Sequence, residues 1–271
     1  MKSADELWRE IETREVAERT LVVWWLYQAG IVVKSPGGAM IAIDPYLSDS
    51  VLRSYNLPRN VPAPIDPAEV RLDAVLASHS HQDHLDPDSI LPFAGHPGTR
   101  FVGPPMATAR IAEEGVDPAR TVSLARGDRT SVGDLEVRAV AARHPFAPEP
   151  VPDAIGYVVE AGGVSLYHSG DTEYDTEIVR DAKGVTAAFI SMNGTAGNMN
   201  VHEAAFLAWR MQSRVAIPFH YGLWTDSGYG EGATLDPSVF VATYNRLGPA
   251  GRTHILTPSE AIVFGPEGLA A

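Results

Sequence analysis

One nine-residue segment, SHSHQDHLD, sets four metal-ligand side chains, His79, His81, Asp83 and His84, within six positions. A fold that accepts this chain has to deliver that segment to a place where ligand-type residues from elsewhere can meet it. Three more follow, each next to an apolar run: His144 in AVAARHPF, Asp171 in LYHSGDT and His220 in VAIPFHYG. Imidazole nitrogens and carboxylate oxygens suit zinc, manganese or iron(II). A lone histidine beside an apolar strand is ordinarily a packed or surface residue, but ligand types spaced 0, 2, 4 and 5 are hard to explain as packing. In an extended loop His79 and His81 point the same way, because side chains alternate along the backbone. Asp83 and His84 then fall where the chain turns into the next helix and can serve a second ion. The seven residues read as one dinuclear metal site.

Composition narrows the chemistry. With 271 residues, 45% of them hydrophobic, the chain can bury a large core. No Ser/Gly linker or charge block divides it, so residues 1–271 are expected to form one domain. A net charge of −13 argues against nucleic acid as a partner, since polyanion binding draws much of its strength from Lys and Arg releasing counterions. There are no cysteines, which excludes disulfides, thiolate ligands and a thiol nucleophile. The N-terminal stretch MKSADELWREIETREVAER is too charged for a signal peptide, and no apolar run approaches the ~20 residues of a membrane span. A cytoplasmic protein without membrane partners is expected.

Ser3 followed by Glu6 has capping-box spacing, so residues 1–20 are expected to carry a helix docked on the core through Leu7 and Ile11. Apolar runs at 21–27, 31–34 and 39–44, parted by Gly30 and by SPGG, read as a strand meander. From residue 67 strands and helices alternate. Strands are predicted at 73–78, 100–102, 120–124, 135–142, 155–160, 164–168, 186–190, 214–219 and 253–256. Helices are predicted from Pro87 with Asp86 as N-cap, and over 104–114, 174–182, 201–212 and 236–247. Meander plus alternation in both halves predicts an α/β fold, a four-layer αββα sandwich of two mixed β-sheets flanked by helices. His79, Asp171 and His220 each lie just past the C-terminal end of a predicted strand, where α/β folds open their ligand crevices.

The segment HSHQDH resembles the HxHxDH signature of the metallo-β-lactamase superfamily, and the order His144, Asp171, His220 matches that superfamily's remaining ligands. The resemblance covers nearly the whole chain. It implies one divalent ion held by His79, His81 and His144, a second by Asp83, His84 and His220, and Asp171 bridging them. It tilts the metals towards manganese or zinc, with iron(II) also compatible. Asp44 resembles a superfamily residue that orients a ligand histidine from behind. Three stretches, WWLYQAGIVVKSPGGAMIAIDPYLSDS, PAPIDPAEV and ISMNGTAGNMNVHEAAFLA, look like the branch that contains L-ascorbate-6-phosphate lactonase. In the last of them Asn193, Asn198 and Asn200 offer amides to a polar substrate, although Asn200 could equally cap the helix that follows. His202 falls inside that helix and is left off the ligand set.

The function implied is hydrolysis of a small sugar-acid lactone or related ester by a metal-bound hydroxide, with Asp83 steering it and carrying its proton to the leaving oxygen. The same two-metal clamp could cleave a small or cyclic phosphodiester, and a non-catalytic metal-bound sensor is the reading from another class. A centre carrying two dications would draw a small anionic substrate, with Lys34, Arg53 and Arg59 as candidate cations for its anionic group. Tyr221, Trp224 and Tyr229, in a glycine-rich loop, could form a lid or pack on the sandwich edge. VVWWLY and the first helix could supply a homo-oligomer interface.

Overall fold

Ser3 starts the first helix by the predicted capping box: its side chain accepts from Glu6 N while the Glu6 carboxylate accepts from Ser3 N. In this computed structural model, which describes residues 2–145 and 149–270, that helix is α1 (Ala4–Thr13). Its apolar face buries Leu7 and Ile11. Its C-terminal carbonyls are met by Lys34, whose buried Nζ donates to Ile11 O at 2.9 Å and Glu12 O at 2.7 Å. A cation at a helix C-terminus satisfies orphan carbonyls and complements the dipole. Lys34 is therefore spent on structure, which removes it from the candidate substrate cations.

The strands follow the predicted meander and alternation. β1 (Leu21–Trp25), β2 (Ile31–Lys34) and β3 (Met40–Ile43) run antiparallel, and β4 (Ala74–Leu76), β5 (Arg100–Gly103) and β6 (Thr121–Ser123) add to β3 in parallel. The next seven strands repeat that plan. β7 (Arg129–Val132), β8 (Leu135–Ala141), β9 (Ile155–Ala161) and β10 (Val164–His168) are antiparallel, and β11 (Ala187–Ser191), β12 (Val215–Phe219) and β13 (Arg252–Thr253) continue in parallel. Finally β14 (Ala261–Gly265) crosses back to pair antiparallel with β1 and carries β15 (Gly268–Leu269). The outcome is an eight-stranded and a seven-stranded mixed sheet.

Alternation along β1 shows how the layers are held. Leu21, Val23 and Trp25 join the apolar cluster shared with β8 to β12 of the other sheet, while Val22 and Trp24 join the outer cluster with Leu7 and Ile11. A strand buried on both faces reads as a continuous apolar run. This packing buries VVWWLY and the apolar face of α1 inside the chain. The outer cluster also takes Ile90 and Phe93 of α3 (Pro87–Ala94) and Ala107 and Ile111 of α4 (Pro105–Glu113), with a short α2 (Ser50–Tyr55) before them. Over the second sheet lie α5 (Thr176–Asp181), α6 (Val201–Met211) and α7 (Pro237–Arg246). Among the described residues no helix is long and apolar enough to cross a membrane.

Ile11 is fully buried between α1 and the first sheet. Ile11→Ala is expected to lower unfolding free energy by about 2–5 kcal/mol, read by urea denaturation, without changing metal uptake per folded chain.

Candidate metal centre

The loop after β4 brings His79, His81, Asp83 and His84 to one edge of the sandwich, and the chain just past β8, β10 and β12 brings His144, Asp171 and His220 to the same place. All seven sequence-predicted ligand residues converge. They form three overlapping groups whose ligand atoms lie within 4.8 Å of one another: His79, His81 and His144; Asp83, His84 and His220; and His79, His84 and Asp171. In the first, His79 Nε2 is 2.9 Å and His144 Nε2 3.3 Å from His81 Nδ1. In the second, His84 Nε2 is 3.1 Å from His220 Nε2, and each is 3.6 Å from Asp83 Oδ2. Asp171 spans both, with Oδ1 2.9 Å from His220 Nε2 and 3.3 Å from His84 Nε2, and Oδ2 3.9 Å from His144 Nε2. Ligands about 2.0–2.1 Å from a tetrahedral ion lie roughly 3.3 Å from one another, so this donor set fits two such ions.

Four of the five imidazoles have a hydrogen-bonding group behind them; among the described residues His144 Nδ1 has none. Asp44, fully buried just past β3, accepts from Ser78 N and Ser78 Oγ, both at 2.6 Å, and lies 2.7 Å from His84 Nδ1. With its Oγ hydrogen on Asp44, Ser78 can accept from His79 Nδ1 at 2.9 Å. One carboxylate thus directs His84 and, through Ser78, His79, and both rings face the cluster with Nε2. His81 is reversed: its Nε2 meets the carbonyl of Glu149 at 2.7 Å, which leaves Nδ1 inward. The Asn193 amide lies 3.0 Å from His220 Nδ1 and the Asn198 amide donates to Asp171 Oδ2 at 2.7 Å. These two asparagines, read from the sequence as substrate contacts, are engaged with ligand-type side chains. Asn200 is an N-cap, its Oδ1 accepting from His202 N and Glu203 N, so the capping alternative holds.

Electrostatics favours positive charge at the centre. Burial disfavours charge on His84, yet Asp171, Asp83 and Asp44 outweigh it and hold that imidazole well above its usual range. Burial likewise opposes ionisation of Asp171, but His220 and His84 keep its carboxyl well below the usual range. His79 is pushed well down by burial, aided by His84. A field that draws a proton to a buried imidazole draws a divalent cation more strongly.

Other candidates fall outside the cluster. Arg53 pairs with Asp88 at the surface, and Arg59 stacks 5.1 Å over Tyr46 while donating to Tyr46 O and Val61 O. Tyr221, Trp224 and Tyr229 are buried against Trp25, Tyr46 and one another, the packing alternative of the two readings. Sequence reasoning missed Ser78, which carried no signal beyond its place before His79, and Gln28, whose amide Nε2 lies 3.3 Å from Asp83 Oδ2.

Comparison with known proteins agrees with this geometry. Residues 40–221 match the family model described as "Beta-lactamase superfamily domain". The chain belongs to the metallo-β-lactamase superfamily. Within the superfamily it is 27% identical to the probable L-ascorbate-6-phosphate lactonase UlaG of Shigella dysenteriae serotype 1 (strain Sd197), over 80% of this chain and 74% of that protein. Its fold resembles that of Igni18, a metallo hydrolase from Ignicoccus hospitalis KIN4/I, at a TM-score of 0.68 and 20% identity, covering 90% of this chain and 98% of the other. An isothiocyanate hydrolase from Delia radicum gut bacteria gives a TM-score of 0.66 at 15% identity, covering 90% and 99%. The superfamily match and the candidate ligand groups support a hydrolase that uses divalent metal.

Gly170, at φ +57 beside Asp171, faces Ser78 so closely that an added Cβ would lie 2.6 Å from Ser78 Cβ. Gly170→Ala is expected to cost roughly 1–3 kcal/mol from overpacking and positive φ. Thermal denaturation of the metal-free protein reads it.

Proposed function

We propose that this chain is a metal-dependent hydrolase that opens a small sugar-acid lactone, or a related small ester, at a dinuclear manganese or zinc centre. The observation that carries the reading is the pair of triads, His79–His81–His144 and Asp83–His84–His220, with the two Asp171 oxygens facing one each. The lactone is favoured by the 27% identity to a probable L-ascorbate-6-phosphate lactonase. When bound, two divalent ions would lower the pKa of water between them and polarise the scissile carbonyl.

The chain's own residues do the rest. Asp44, Ser78 and the Glu149 carbonyl orient His84, His79 and His81 with one ring nitrogen inward, and the Asn193 amide lies against His220 Nδ1, so four of the five imidazoles are held in place before any ion arrives. Asp171 spans the triads and is steadied by Asn198. Asp83, its side chain 19% exposed, is the ligand-set carboxylate most open to substrate. It takes the proton of the attacking water and passes it to the leaving oxygen. Two dications outweigh Asp83 and Asp171, so a small anionic substrate is drawn to the centre although the chain as a whole is acidic.

The reading is tested by turnover of aldonolactones, with and without phosphate, beside bis-p-nitrophenyl phosphate. Lactone opening is expected; diester cleavage with inert lactones would move the protein to phosphodiesterase chemistry. His81→Ala and His220→Ala are expected to lose metal and turnover together while keeping the fold, as read by elemental analysis and circular dichroism. Asp83→Asn is expected to reduce turnover by about 10²-fold or more with a smaller loss of metal; undiminished turnover would remove Asp83 as proton carrier.

A further inference from the structure

Gln28 stands at the tip of the β1–β2 hairpin in a conformation that its residue type rarely takes. Tyr27 at φ 71 and Gln28 at φ 50 are consecutive non-glycine residues in the left-handed region. Strained backbone of this kind persists only where its surroundings over-determine it. Here they do. The Gln28 carbonyl accepts from Trp25 Nε1 at 2.9 Å and from His220 N at 3.0 Å. Its neighbour Ala29 is held by His168, whose Nδ1 accepts from Gly170 N, leaving Nε2 to donate to Ala29 O at 2.8 Å. Gln28 is itself 1% exposed.

The amide's orientation follows from its far end. Tyr229 Oη accepts from Leu223 N at 3.1 Å, and its hydrogen has an acceptor in Gln28 Oε1 at 2.8 Å. Burial pushes the Tyr229 phenol up, so it keeps the proton it donates. With Oε1 committed to Tyr229, Nε2 has to face the centre. There it is 3.3 Å from Asp83 Oδ2 and 3.5 Å from His220 Nε2. A carboxylate oxygen has lone pairs enough for both an amide N–H and a cation.

We propose that Gln28 is a positioning residue for Asp83: its amide N–H, aimed by Tyr229, holds Asp83 Oδ2 at the Asp83–His84–His220 end of the centre. This rests on the dinuclear reading and adds to it a residue whose effect falls on one of the two ions. It also gives the buried aromatic loop a function besides packing, since Leu223 and Tyr229 set the direction of an amide that faces the ligands.

The test is titration of metal-free protein with cobalt(II), following the visible absorption bands of each equivalent. Two variants are compared with wild type: Gln28→Leu, which removes the donor, and Tyr229→Phe, which keeps Gln28 and its surrounding packing but frees Oε1. Both are expected to weaken one equivalent of cobalt by about tenfold or more and to shift its bands, leaving the other equivalent as in wild type. If Gln28→Leu does not fold, Tyr229→Phe carries the test alone. Wild-type affinities and bands in the folded variants would overturn the assignment of Gln28 while leaving the dinuclear reading intact. Wild-type protein that takes up no cobalt would overturn both.

Discussion

The centre depends on Asp44, a carboxylate with no exposure, held against the backbone and hydroxyl of Ser78 and the ring of His84. Removing a carboxylate from water is costly unless donors and positive charge replace the solvent. At Asp44 one backbone N–H, one hydroxyl and one imidazole do so, and two of the three belong to groups that turn a ligand-type histidine. The satisfaction of a buried charge and the orientation of the candidate metal ligands are one network. Gly170 closes it, because a larger residue there would collide with Ser78.

The architecture brings the other ligand-type residues to that network. Each sheet begins antiparallel and ends parallel, so Asp44 and His79 leave the first sheet, and Asp171 and His220 the second, beyond the C-terminal ends of central strands. Apolar packing between the sheets sets their separation, and the ligands meet where that packing stops. Strain collects at the same edge: Tyr27, Gln28, Asp44 and His220 all take positive φ without being glycine. The folding energy of a large core sustains this local cost, and in return the ligand atoms are pre-arranged.

Much of this was legible in the sequence, for physical reasons that differ by residue. The seven ligand-type side chains stood out because four fell within six positions and three followed apolar runs, and the structure gathers all seven. Periodicity found most of the strands but not their partners. The short alternating segment that becomes β14 has its partner in β1, at the far end of the chain. Edge strand β7, half polar, and the six-residue α2 carry too little pattern to be read. The three asparagines stand out in the sequence, which leaves Asn200 open as a helix cap but does not give the partners of Asn193 and Asn198. Amide chemistry says that a group will hydrogen-bond, whereas only the fold says that Asn193 meets His220 and Asn198 meets Asp171. Gln28 was invisible because its importance comes from a hairpin tip and from Tyr229, two hundred residues away in sequence.

The central claim is that one chain holds two ions between these side chains. Anomalous diffraction from crystals of the manganese- or zinc-loaded protein, recorded on both sides of the metal edge, tests it most directly. Two peaks are expected, one among His79, His81 and His144 and one among Asp83, His84 and His220, with Asp171 between them. A single peak, or metal bound elsewhere with these seven side chains unchanged, would contradict the account.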